Sequence, residues 1–253
     1  MLSKNKIKFI QSLNRKKVRD QEQLFLVEGN KMVKEAIESD FQVELVCATE
    51  GFIQETLFKK EYDFELIECS NDEIKKASLL QNPQQALAVV KIPTRTFQIE
   101  NIKDQFTLAL DFIQDPGNLG TIIRIADWFG IGHILCSENT VDCFNPKVIQ
   151  ASMGAIFRIK LKHTNLAESI SKANKSNIPV FGTFLEGENI YQTKLPSSGI
   201  LVMGNEGNGI SAEIEKEIAH KIHIPSFANS NIGSESLNVA TATAICCSEF
   251  KRR

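Results

Sequence analysis

DFIQDPGNLGTIIRIADWFG, residues 111–130, decides how the chain is read. It continues an apolar run, TLALDFI (107–113), turns on Pro116 and Gly117, and then keeps a helical spacing up to Gly130. Apolar strand, tight turn and helix follow in that order, with Gly130 placed to stop the helix. Asn118 is positioned to cap a helix over about 119–129, and Gly120 lets a neighbouring backbone come close. Arg124 lies well inside the helix, and its side chain can reach back toward the N-terminal end.

Outward from this stretch, strands and helices alternate. IGHILCS (131–137), RIKLK (158–162), PVFGTF (179–184), GILVMGN (199–205) and KIHIPSF (221–227) read as strands. Helices are expected from Asn145-Pro146 to about 155, over 166–176, over 211–221 with Ser211 as cap, and from near Ser236 onward. Apolar strands buried on both faces and joined by helices imply a mainly parallel sheet. Upstream, a helix over 1–20, strands at 23–29, 41–49, 64–70 and 86–92, and helices over 30–39, 51–60 and about 72–80 predict a smaller α/β domain. Asn30 is the expected cap of the second of these helices, and Asn71 or Asp72 of the last. The polar stretch opened by Pro93 separates the two halves. The expected boundaries are 1–96, a linker at 97–106, and 107–253.

The composition is that of a chain with real cores, since 42% of its 253 residues are hydrophobic. No apolar run is long enough to span a membrane, and MLSKNKIKFIQSLNRKK does not have the form of a signal peptide, so a cytoplasmic protein is expected. The six cysteines form no CxxC and no zinc spacing, which suits buried thiols in a reducing compartment. His133, His163, His220 and His223 are scattered, and no metal is implied. A net charge of −2 names no anionic partner, but lysines and arginines, among them Lys16 and Arg19, fill the chain before its first acid, Asp20. That end suits phosphate contacts, or equally a solvated helix face.

Three loops leave apolar strands at the end where open α/β sheets bind ligands: QDPGNLG (114–120), GNEGNG (204–209) and PSFANSNIGSESLN (225–238). In the second, Glu206 stands beside Gly207 with Gly204 two residues earlier, and glycines leave backbone N–H groups free for a ligand. None of the loops is a GxGxxG, which disfavours a Rossmann-type nucleotide enzyme, a further alternative reading of the alternating strands and helices.

The combination resembles a known family. N-x-G-x-x-x-R-x-A (Asn118, Gly120, Arg124, Ala126), M-G-N-E-G (203–207) and I-P…S-L-N-V-A (224–225, 236–240) resemble the three motifs of the SpoU/TrmH RNA ribose 2′-O-methyltransferases of the SPOUT superfamily. ASMGAIFRI (151–159) resembles the segment between the first two motifs, and LFLVEGNKMVKEAI (24–37) resembles the family's L30e-like substrate-binding domain. VATATA after Ser-Leu-Asn is a mild departure, because a second serine is common there.

The resemblance implies a mainly parallel α/β catalytic domain with a trefoil knot, preceded by the small L30e-like domain. It implies S-adenosyl-L-methionine as cofactor, held around Met203, Gly204, Ile224 and Leu237, and structured RNA as substrate, ribosomal RNA ahead of transfer RNA. It implies a homodimer. It makes Arg124, Asn118, Glu206, Ser236 and Asn238 the catalytic set. Asn118 and Asn238 are expected to orient Arg124 and the substrate, Glu206 to hold Arg124 or a neighbouring loop, and Ser236 to touch substrate or cofactor. A guanidinium keeps its proton in proteins, so Arg124 is expected to bind phosphate and polarise the 2′-oxygen rather than act as a base. The alternatives are a SPOUT enzyme that methylates a base, a transfer-RNA 2′-O-methyltransferase, and a non-catalytic RNA-binding assembly factor on the same fold.

Overall fold

A computed structural model describes residues 1–57, 62–94, 98–227 and 236–252. The chain divides into two compact units, 1–94 with 142–158, and 95–141 with 159–253.

The first unit begins with two helices where one is expected, α1 (Lys4–Ser12) and α2 (Lys16–Glu22). The break has a local cause. Leu13 is fully buried, and the Arg19 guanidinium donates to the carbonyls of Leu13 (2.7 Å) and Asn14 (2.8 Å). It thereby captures acceptors that the end of α1 leaves open. Next come β1 (Leu24–Glu28), α3 (Asn30–Glu38), β2 (Val43–Ala48) and a single turn, α4 (Glu50–Phe52), which widens into a π-helical stretch, Ile53–Leu57. The rest of the helix expected over 51–60 lies partly outside the described residues. β3 (Glu65–Glu68), α5 (Asn71–Ala77) and β4 (Ala86–Lys91) follow. The sheet order is β1-β4-β2-β3, antiparallel except for the β2–β3 pair.

Two expected caps move by one residue. Gly29 is the N-cap of α3, and the Asn30 side chain instead bonds Gln85 across the strand ends. Ser70 caps α5, and Glu73 answers it in a capping box.

The later segment of this unit carries α7 (Pro146–Ser152), capped by Asn145 as expected. Phe144 packs on Phe25 and Phe157 on Phe41, with ring centroids 4.7 and 5.2 Å apart. Arg19 is 1% exposed and pairs with Asp142 at 2.5 Å. Arg158 pairs with Glu35 at 2.8 Å. Gly154 has φ +94°, and a Cβ there would collide with the Glu35 carboxylate.

The second unit holds β5 (Phe106–Leu110), α6 (Pro116–Trp128), β6 (His133–Ser137), β7 (Lys160–Thr164), α8 (Leu166–Lys175), β8 (Val180–Asn189), β9 (Gly199–Met203), α9 (Ala212–Glu215), β10 (His220–His223) and α10 (Val239–Arg252). The strands pair in parallel in the order β10-β8-β9-β5-β6-β7. The central strands β5, β6 and β9 are buried on both faces, which is why they read as continuous apolar runs, whereas β7 and β10 at the edges carry exposed residues. Along β5, Ala109 joins Ile170 and Ala173 of α8 in one cluster, while Phe106 stacks on Phe250 of α10 at 4.5 Å. Phe250 also meets Phe181 of β8 edge-on, and this pins the last turn of α10.

Several expected bounds change here. β8 runs on to Asn189 past a register shift against β10. β10 is shorter than 221–227, and α9 is one turn instead of the helix over 211–221. Ser211 keeps the cap position of α9 without a side-chain bond. α10 starts at Val239, not near Ser236. The six cysteines are buried, and none is in a disulfide.

Candidate active site

The strand order fixes where a site can form. From β5 the chain moves by α6 to β6 on one side, and from β9 it moves by α9 to β10 on the other. The connections leaving these two adjacent strands diverge, and such a switch point opens a crevice at their carboxyl ends. The loops 114–120 and 204–209 lie there. The third loop leaves β10 and leads to α10, which packs against α6, the helix grown from the first loop.

The first loop is held from both flanks. Asp111 is 5% exposed; its N–H donates to the Met203 carbonyl (2.9 Å), and its carboxylate accepts from Ser211 N–H (2.7 Å). Phe112 sits at φ +59°, a left-handed conformation rare for a non-glycine residue. It is clamped by Asn205 Nδ2 donating to its carbonyl (2.9 Å) and by its own N–H donating to Ser137 Oγ (2.8 Å). The cap of α6 is Asp115, not Asn118. Asp115 Oδ1 accepts from Asn118 N–H at 2.8 Å, and Pro116 takes the first helical position. Gly130, at φ +64°, ends the helix as expected, with Ile131 N–H returning to the Ala126 carbonyl.

This shift of the cap frees the Asn118 side chain. Its Nδ2 donates to Glu206 Oε1, and its Oδ1 accepts from Asn238 Nδ2 at 3.0 Å. Asn238 Oδ1 in turn accepts from Ala240 N–H (3.0 Å) and Thr241 N–H (3.3 Å), which makes Asn238 the cap of α10. A carboxylate only accepts, so Glu206 dictates which way each amide faces. One side chain from each of the three loops thus joins a single directed chain, running from the α10 N-terminus through Asn238 and Asn118 to Glu206.

The second loop is folded back on itself. Asn205 and Gly209 exchange two backbone hydrogen bonds of 2.9 Å, and Asn205 Oδ1 accepts from Gly207 and Asn208 N–H. Gly204 is obligatory, because a Cβ there would lie 2.3 Å from Gly209 C and 2.5 Å from Ile210 N.

The other expected site residues are distributed as follows. Met203 is buried, Gly204 and Ile224 are half-buried, and Leu237 is 47% exposed beside Asn238. Ser236 is exposed, and residues 228–235 of its loop lie outside the described residues. Arg124 is exposed on α6 with no hydrogen-bond or ion-pair partner among the described residues, so neither asparagine orients it and Glu206 holds the Asn118 loop instead. Lys16 is exposed and pairs with Asp20. Arg19 is removed from the candidate RNA surface, since its charge is committed to Asp142 inside the first unit. Asp111, Asp115 and Asn205 are site-building residues that the sequence reading did not single out. The signal for Asp115 was present, because Pro116 favours the first helical position and thereby marks its predecessor as the cap.

Comparison with known proteins places both halves. The model of the SpoU rRNA Methylase family matches residues 105–248, and that of the MRM3-like substrate binding domain matches residues 4–88. The 23S rRNA (guanosine(2553)-2′-O)-methyltransferase RlmP of Bacillus subtilis is 32% identical over 95% of this chain and 93% of its own. A TrmH-family protein from Porphyromonas gingivalis superposes with a TM-score of 0.90 at 40% identity, covering 100% of this chain and 99% of that one. The AdoMet-bound rRNA methyltransferase from Sinorhizobium meliloti superposes at 0.84 with 28% identity, covering 100% and 97%.

Proposed function

The chain belongs to the SpoU rRNA methylase family, and on that footing we propose that it methylates a ribose 2′-hydroxyl of ribosomal RNA with S-adenosyl-L-methionine. The observation that carries this reading is the hydrogen-bonded chain Asn238–Asn118–Glu206, which draws the three motif loops together at the switch point of the sheet.

The residues present suit the methyl donor. Its adenosine needs apolar walls and main-chain donors; Ile224 and the outward Leu237 suit the first, and the backbone N–H groups of Gly204 and Glu206, which the turn's own bonds do not use, the second. When bound, S-adenosyl-L-methionine supplies an electrophilic methyl on a sulfonium. The protein's task is to place the 2′-oxygen in line with that methyl and to manage the hydroxyl proton. Arg124, solvent-facing on α6, is suited to hold the neighbouring phosphate of the RNA. Ser236 is suited to touch substrate or cofactor. In the first unit, Lys16 and the exposed Lys8, Arg15 and Lys17 are suited to phosphates farther from the target nucleotide.

The preference for ribosomal RNA rests on what the relatives act on. A homodimer and the trefoil knot are carried from the family resemblance, and a cytoplasmic location from the sequence reading, as parts of the same proposal. Two exposed aromatics, Trp128 (85%) and Phe227 (87%), support the dimer, since large bare apolar side chains mark interaction surfaces. Among the described residues no helix is long and apolar enough to cross a membrane.

Arg124→Ala tests the site. Turnover on RNA is expected to fall at least about 10²-fold while S-adenosyl-L-methionine affinity, read by calorimetry, stays within a few-fold. Near-normal turnover removes Arg124 from the mechanism, and absence of 2′-O-methyl product from the wild-type protein removes the function.

A further inference from the structure

We propose that Glu206 is the group that takes the 2′-hydroxyl proton. The inference rests on the methyltransferase reading above and adds the proton acceptor to it.

Of the side chains the motif loops bring to the site, few can accept a proton. The amides of Asn118 and Asn238 are not bases, and a guanidinium such as that of Arg124 keeps its proton in proteins. A serine hydroxyl such as Ser236 needs a base of its own. Two carboxylates stand nearby: Asp111 is buried on Ser211 N–H, and Asp115 is exposed and spends Oδ1 on the Asn118 N–H of its own loop as the cap of α6. Glu206 differs from Asp111 in being exposed and from Asp115 in its setting: its Oε1 accepts from the Asn118 side chain of another loop, at the end of the chain that joins all three, and its Oε2 has no partner among the described residues. The chain from the α10 N-terminus through Asn238 and Asn118 fixes one carboxylate oxygen and leaves the other for substrate.

Carboxylates are weak bases, yet the reaction asks no more. The 2′-oxygen forms its bond to the methyl carbon, the carbon–sulfur bond breaks, and that electron pair stays on sulfur as a neutral thioether. As its bond to carbon forms, the 2′-oxygen becomes oxonium-like and strongly acidic, so its proton passes readily to Oε2. Sulfonium and carboxylate give thioether and carboxylic acid, so charge balances, and Glu206 then loses the proton to water. No deprotonated arginine is required.

The test is Glu206→Gln and Glu206→Ala in the full-length protein, assayed on RNA with S-adenosyl-L-methionine. Glu206→Gln keeps an acceptor for Asn118, so cofactor affinity should hold while kcat falls about 10²–10⁴-fold, the range for loss of a general base. In Glu206→Ala, formate or acetate should restore part of kcat, more so for the more basic acid. Turnover of Glu206→Gln within a few-fold of wild type overturns the proposal, as does a lost rate that no small carboxylate restores. Inactive wild-type protein defeats the methyltransferase reading itself, a result separate from either.

Discussion

Arg19 and Lys16 look alike in the sequence and are energetically opposite in the structure. Lys16 pairs with Asp20 on the surface, both side chains more than half exposed. Such i,i+4 pairs contribute about 0.3–0.5 kcal/mol. Arg19 is sealed against Asp142 and two carbonyls, and its removal leaves a carboxylate and two acceptors without their donor. Arg19→Met should therefore cost about 3–5 kcal/mol, whereas Lys16→Ala should stay within about 0.5 kcal/mol. Arg19→Met combined with Asp142→Leu should recover much of the loss, because the stranded charge goes too. Denaturant midpoints of the four proteins check this, and equal midpoints for Arg19→Met and wild type would contradict the buried pair. Nothing local could have told the two residues apart, since Asp142 is 123 residues from Arg19.

At the scale of elements, legibility follows the range of the forces involved. The apolar runs at 106–110, 133–137 and 199–203 are strands because burial on both faces leaves no polar alternation to obscure them. Caps were less legible. Asn118 and Asp115 are chemically able to cap the same helix, and the choice of Asp115 released Asn118 to bridge two loops. The π-helical stretch after α4 and the extension of β8 to Asn189 had no local signal. The convergence of the three loops was legible only through strand ends, and the pairing partners themselves were not. The turn at 204–209 yields a prediction of its own. Its backbone returns so close to Gly204 that a methyl group must displace Gly209 and Ile210. Gly204→Ala should weaken S-adenosyl-L-methionine binding at least about tenfold, or ~1.4 kcal/mol, and, because Ile210 belongs to the buried core, should lower the melting temperature as well. Undiminished affinity by calorimetry would show that the turn does not line the cofactor.

Across the whole molecule, sequence order and packing disagree over residues 142–158. They fall inside the span matched by the methylase family, 105–248, yet they pack with the first unit. Their side chains complete its interior: Asp142 neutralises Arg19, Phe144 and Phe157 cover Phe25 and Phe41, and Arg158 binds Glu35. A fragment ending at Thr94 would leave Arg19 uncompensated and two aromatic faces in water, so it should not fold stably alone. In the intact protein, amides of α7 should exchange with solvent together with those of β1, against which α7 packs, and of β4, the sheet neighbour of β1, and not with β6 and β7, which flank them in sequence. Hydrogen exchange by mass spectrometry across a shallow denaturant series resolves the two patterns. If peptides covering 146–152 instead lost protection with β6 and β7, cooperativity would follow the sequence and the division into units would be wrong. Common exchange with β1 would make this segment a structural part of the first unit, so that substitutions there should lower the first unit's stability before they alter chemistry at Glu206.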